Sequence, residues 1–294
     1  MAALPNLVVI GAPKCGTTSL HYYLSLHPEA CMSKPKELMF FCDLPSPDAV
    51  SPESAHLVGM VRRRNWRRGA DWYASHFSAE AKVRGESSPS YMAPWYPEIP
   101  ARMAELIPDA RLLMCVRDPV DRAISHYLMH MVDRNERRTV DDALSDPLSP
   151  YIGQSRYASR LEAFLERFPR SRVMVVDHGA LLNRRRETVQ AVFRFAGIDD
   201  SFWSPRMDRE LNPTARRNAR RRLMFRARKL PVLRQAQKLP DDVRWLVERL
   251  GLSRTARSRP ALDPGLRAEL EAELSGEFEP VRAHAGEPLG GWPD

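Results

Sequence analysis

The apolar positions of this chain fall into compact runs and spaced runs. Leu7–Ile10, Arg111–Val116 and Val173–Asp177 are compact apolar runs that predict strands, and Arg111–Val116 is consistent with a strand covered on both faces. Ala30–Met32 is a shorter candidate, and Val83–Glu86 reads as a strand cut off by Ser-Ser-Pro. The spaced runs predict helices. Thr17–His27 gathers Leu20, Tyr23, Leu24 and Leu26 on a broad apolar side and stops at His27-Pro28. Asp118 is a good N-cap with Pro119 as first helical residue. Tyr157–Phe168 lines up Leu161, Phe164, Leu165 and Phe168. Thr188–Ala196 ends at Gly197, and Arg102–Leu106 is a short helix. Strand and helix alternate to about residue 197, which predicts an α/β domain with a mainly parallel sheet. The chain reads as a single domain over 1–294. Residues 1–197 form its α/β core, and an Arg/Pro-rich helical and loop part over 198–294 packs on it.

Composition adds limits. With 43% hydrophobic and 28% charged residues, the chain is ordinary for a soluble globular protein and long enough to bury a core. Met1–Asn6 has no basic region, Leu7–Ile10 is too short for a signal peptide, and no run approaches membrane-spanning length; the expectation is a cytoplasmic protein. Cys15, Cys31, Cys42 and Cys115 lack zinc-ligand spacing, so reduced thiols are expected. The net charge of +8 is uneven: Arg206–Pro260 holds 17 Lys/Arg against 5 Asp/Glu, a local net of +12 that leaves −4 for the rest. That segment suits an anionic partner or a solvated Arg-rich face. Arg220–Leu230 mixes Leu223, Met224 and Phe225 with basic residues, a composition compatible with peripheral contact to an anionic membrane surface.

The chemistry starts in LVVIGAPKCGTTSL. Gly11 and Gly16 have the G-x-x-x-x-G spacing of a phosphate loop, and backbone amides opening a helix form an anion site. Thr17, Thr18 and Ser19 add hydroxyls. The lysine stands inside the loop at Lys14, not at the helix start. At the end of the Arg111–Val116 run, where a magnesium-binding Asp is expected in a nucleotide triphosphatase, the residue is Arg117. A site built on protein cations without a metal is expected.

Four segments together resemble sulfotransferases that use 3′-phosphoadenosine 5′-phosphosulfate (PAPS), in the heparan-sulfate-type and bacterial branch. They are PKCGTTSL, KELMFF at 36–41, GESSPSY at 85–91 and RDPVDRAISHY at 117–127. The resemblance implies a P-loop-type three-layer sandwich with a mainly parallel sheet flanked by helices. It implies transfer of a sulfuryl group from PAPS to a hydroxyl or amine of a small-molecule or glycan acceptor. It assigns Glu37 as general base and Lys14 to the leaving phosphate. Cys15, Gly16, Thr17, Thr18 and Ser19 fall in the 5′-phosphate cradle, and Arg117 and Ser125 match the 3′-phosphate pair. Arg216 and Arg217 in LNPTARRN stand where a late loop closes over the nucleotide, and Tyr157 stands where a donor-side tyrosine is sometimes found.

The chain departs from the pattern at Met39 and Ser87, where several heparan-sulfate-type members carry His and Lys, which argues against a direct heparan acceptor. His76, His126, His130 and His178 are alternative bases. Three other readings stay open: a sulfotransferase-like fold that has lost activity, to which Met39 and Ser87 would point, a P-loop kinase, which predicts Mg-ATP binding, and a basic nucleic-acid module. The last lacks the aromatic-plus-basic motifs of common RNA folds, so no nucleic acid is expected.

Overall fold

A computed structural model of the chain describes residues 3–43, 46–58, 65–133, 136–208 and 261–285. The five predicted strands are present as β1 (Leu7–Gly11), β2 (Ala30–Met32), β3 (Val83–Ser87), β4 (Arg111–Val116) and β5 (Val173–Asp177). They form one sheet in the order β2-β3-β1-β4-β5, every neighbouring pair parallel. All of β1 is buried, as is β4 beyond Arg111, the burial that unbroken apolar runs require.

The helices used below are α1 (Thr17–Leu26), α2 (Gly69–Ala74), α3 (Ile99–Leu106), α4 (Pro119–Asp133), α5 (Tyr157–Leu165), α6 (His178–Asn183), α7 (Arg185–Ala196), α8 (Pro264–Leu274) and α9 (Phe278–Ala285). α1 packs on β2, β3 and α7, while α9 packs on β5 and α5. The result is the three-layer sandwich expected. β2 and β3 lie on one side of β1, β4 and β5 on the other. The carboxyl end of β1 is thus the switch point of the sheet, where a parallel α/β fold opens a crevice.

Helix limits differ where the apolar pattern is silent. α3 starts at Ile99, earlier than Arg102, because Pro100 is tolerated in a first turn and Ile99 and Met103 are fully buried. α7 starts at Arg185, before Thr188; its first turn is polar, and its buried face begins only at Val189. α5 stops at Leu165, short of Phe168, although Phe168 remains core. The tail joins the core where it is described: His284 Nε2 lies 2.8 Å from the Val173 carbonyl, and Glu277 accepts the Ala158 amide at 2.8 Å. Arg216, Arg217 and Arg220–Leu230 lie outside the described residues.

Candidate active site

The crevice is shaped first by the exit from β1. The register between β1 and β4 slips between Val9 and Gly11, a bulge that turns the chain out of the sheet. A Cβ on Gly11 would sit 2.2 Å from Met92 Cγ, so only glycine fits. Gly16 is the N-cap of α1 at φ 86°, and a Cβ there would meet Leu181 at 3.0 Å and His178 at 3.1 Å. No side chain caps this helix and its first turn holds no acidic residue. Its leading amides therefore keep their affinity for an anion. Thr17 is buried, Thr18 is exposed, and the Ser19 hydroxyl hydrogen-bonds Tyr23 one turn on. Lys14 sits between the two glycines at φ 75°. Cys15 is wholly buried, and burial pushes its thiol up to about 11, so it packs as a neutral group.

The loop leans on the end of β4. The Asp118 carboxylate accepts the Asp121 amide at 2.6 Å, the predicted cap of α4. Arg117 pairs with Asp121 at 3.1 Å, and Arg267 of α8 reaches the other oxygen of Asp121, also at 3.1 Å. Ser125 follows two turns along α4 and is nearly buried. Tyr157 is fully buried; its hydroxyl donates to the Arg117 carbonyl at 3.0 Å and lies 3.6 Å from Cys15 Sγ. The side chains of Cys15 and Tyr157 thus brace the loop from behind, and any ligand meets this pair through backbone. His178, against Gly16, is kept neutral at the pH of cells, since burial and then Arg117 lower its pKa to about 4.

The second wall is the loop carrying Glu37. Glu37 has φ 68° and Met39 φ 49°; with Lys14 they are the non-glycine residues at positive φ among those described. Such backbone is strained and persists only where surroundings impose it. What imposes it is Glu86, at 0% exposure. Its carboxylate accepts from Tyr73 at 2.7 Å, from Ser88 at 3.1 Å, from Tyr91, and from the Leu38 amide. Ser88 Oγ in turn accepts the Met39 amide at 2.9 Å, and Tyr91 accepts the Phe40 amide at 2.9 Å. Three successive amides of the loop are captured by one buried cluster. Phe40 and Phe41 are core anchors, with Phe40 stacked on Tyr73 at 4.1 Å. The Glu37 carboxylate itself stays 42% exposed and pairs with Lys36 at 2.8 Å.

Burial raises the Glu86 carboxyl to about 7, and the four donors only partly offset this. A raised carboxyl favours the fold fully below its unfolded value near 4.5, and that contribution is lost as pH rises through about 7. The shift corresponds to roughly 3 kcal/mol between those limits. Urea unfolding at about pH 4.5 and about pH 7.5 should therefore show a drop in wild type that Glu86→Gln lacks, although the variant is less stable at both. Equal pH slopes in the two proteins would remove Glu86 as the cause.

Glu86 and His21 are the residues that sequence reading missed. His21, half-buried on α1, places Nδ1 2.9 Å from Ser87 Oγ. Ser87 is fully buried, so its hydroxyl hydrogen is best satisfied by donating to that nitrogen, which leaves the His21 hydrogen on Nε2. Burial and then Lys36 hold His21 at about 4, while the Glu37 carboxylate pulls the other way, so the ring is a neutral donor within electrostatic reach of Glu37. The i+4 step from Thr17 to His21 was the available signal. Of the alternative bases, His126 and His130 are buried in α4, His76 bonds the Trp72 carbonyl, and His178 backs the Gly11–Gly16 loop.

Comparison with known proteins bears on this geometry. A profile of the Sulfotransferase family matches residues 5–205, from β1 to past α7. The human bifunctional heparan sulfate N-deacetylase/N-sulfotransferase 3 is 27% identical over 213 residues, which span 66% of this chain and 22% of that protein. The mouse heparan sulfate glucosamine 3-O-sulfotransferase 5 is 26% identical over 208 residues, 66% of this chain and 54% of that one. The chain thus spans about a fifth of the first relative and about half of the second. A sulfotransferase from Alicyclobacillus acidocaldarius superposes with a TM-score of 0.65 over 98% of both chains at 23% identity, a likeness of fold.

Proposed function

The chain belongs to the sulfotransferase family, and from that premise we propose that it moves a sulfuryl group from PAPS to a hydroxyl of a carbohydrate, glycolipid or secondary-metabolite acceptor, with an amine as the second choice. One observation carries this reading. The loop after β1 carries Lys14 and leads into the uncapped α1 amides, the loop after β2 carries Glu37, and because these strands run parallel both loops leave the same edge of the sheet.

The residues fit a bisphosphorylated nucleotide. Gly16 through Ser19 supply amides and hydroxyls without a competing acid, and Lys14 supplies charge within the loop. Arg117 and Ser125 are assigned to the 3′-phosphate, with Asp121 orienting the guanidinium. Bound PAPS supplies an activated sulfuryl group on a phosphate leaving group. Glu37 accepts the proton of the acceptor hydroxyl, and its exposure lets an acceptor reach it. Lys14 and the α1 amides meet the charge that develops on the leaving phosphate. His21 offers a neutral Nε2–H on the acceptor side. The heparan sulfate relatives named above support a glycan acceptor.

The test is calorimetry with 3′-phosphoadenosine 5′-phosphate (PAP), the product nucleotide, in EDTA, beside ATP with Mg²⁺. Metal-free binding of PAP is expected, weakened at least about tenfold by Arg117→Ala, the order of a lost charged hydrogen bond. A preference for Mg-ATP would favour a kinase instead.

A further inference from the structure

Arg122 is a fully buried guanidinium, one of the largest buried side chains in the core. Its Nε donates to Ser155 Oγ at 2.7 Å, its Nη1 reaches His126 Nδ1 at 3.3 Å, and its Nη2 donates to the Tyr151 carbonyl. All three partners are neutral, and among the described residues it forms no ion pair with a carboxylate.

A polar chain continues from it. His126 Nε2 lies 3.1 Å from His130 Nε2, His130 Nδ1 lies 3.2 Å from the Tyr151 hydroxyl, and that hydroxyl donates to Glu136 at 3.0 Å. Every donor can point the same way with both imidazoles neutral. The carboxylate at the far end is already paired with Arg138 at 2.8 Å. Among the described residues the Arg122 charge therefore has no local counter-ion. Burial, and the neighbouring Arg117 charge, pull its pKa below the usual value.

A buried cation without a partner is costly, so its retention needs a reason. Its position supplies one. Ser155 Oγ also donates to the Pro119 carbonyl at 2.8 Å, which places Arg122 directly behind the start of α4. Tyr157 links that region to Cys15 and Arg117. Arg122 thus stands behind the phosphate loop and the Arg117 corner, the two places assigned to phosphates.

We infer that Arg122 is an electrostatic supporting residue of the nucleotide site: its buried charge is compensated by the phosphates of the bound bisphosphate nucleotide, which it never touches. The inference rests on the PAPS reading above. In this low-dielectric setting a unit charge acts over several ångströms, and several phosphate charges respond to it together.

The experiment is PAP calorimetry with thermal unfolding of wild type, Arg122→Lys, Arg122→Gln and Arg122→Met. Arg122→Lys keeps the charge and is expected to bind PAP within about threefold of wild type, whereas Arg122→Gln loses at least about tenfold. Arg122→Met removes the buried charge and leaves the Ser155 hydroxyl on the Pro119 carbonyl. It should melt at or above wild type without ligand and still bind PAP at least about tenfold more weakly. A purely structural Arg122 cannot raise stability and lower affinity together, and this variant decides the matter if Arg122→Gln fails to fold. Equal affinities for the Lys and Gln variants, or wild-type binding by Arg122→Met, overturn the inference. Wild type that binds no PAP sinks the functional reading itself, whereas wild type that binds with indifferent variants sinks only the role of Arg122.

Discussion

Glu37→Gln is expected to slow sulfuryl transfer by about 10²–10⁴-fold, the usual worth of a positioned general base. The substitution is nearly isosteric, and Gln meets the same backbone demand at φ 68°. The amides of Leu38, Met39 and Phe40 stay captured by Glu86, Ser88 and Tyr91, so the loop has no reason to move. What is lost is an acceptor for a proton. The Lys36 ammonium, now at 2.8 Å from the carboxylate, can still donate to the Gln amide oxygen, so losing the ion pair costs little stability. The check is conversion of radiolabelled PAPS across saccharides and other hydroxyl acceptors, with PAP affinity measured in parallel. A fall in rate with PAP affinity held within about threefold supports the assignment. A variant that transfers at the wild-type rate removes Glu37 from the chemistry and moves attention to His21.

Lys14→Gly should slow transfer by about 10²–10³-fold, the scale for losing one group aimed at developing negative charge. It should also make the protein more stable, by about 1 kcal/mol. Lys14 holds φ 75°, a conformation that costs an L-residue with a Cβ and costs glycine nothing. Lys14→Ala is the control: it removes the ammonium but keeps the strain, so it should share the catalytic loss without the gain in stability. Thermal unfolding and PAPS turnover of the three proteins separate the two effects. If Lys14→Gly is no more stable than Lys14→Ala, the loop is not strained in solution. If both turn over like wild type, the cation has no part in the reaction.

Much of this protein was legible from its sequence. Leu7–Ile10 and Arg111–Val116 are strands because runs without polar interruption are buried on both faces; Val173–Asp177 is the edge strand, with Met174 and Val175 half-buried, and β4 and β5 have the limits that the runs predict. The shape of the Gly11–Gly16 loop was legible because glycine spacing reports backbone geometry directly, and Gly11 and Gly16 are where a Cβ has no room. The Asp118 cap follows from local chemistry in the same way. Helix starts at Ile99 and Arg185 were not legible, since polar or proline-bearing first turns carry no periodic signal.

Tertiary structure alone decided how the functional groups are supported. Glu86 looked like one more acid at the end of a strand; it is the anchor of the Glu37 loop because β3 brings it against Tyr73 and Tyr91 and delivers Ser88 to Met39, 49 residues away in the chain. His21 became a member of the cleft only when Ser87, 66 residues later, met its ring. Nothing in the helical segment after Pro119 singles out Arg122, and the packing of Ser155 and Tyr151 makes it a buried cation. Sequence pattern encodes which backbone each segment adopts, because propensity, glycine and capping act over a few residues. The state of a charged or polar side chain depends on desolvation and on partners from distant elements, and those are set only when the layers close.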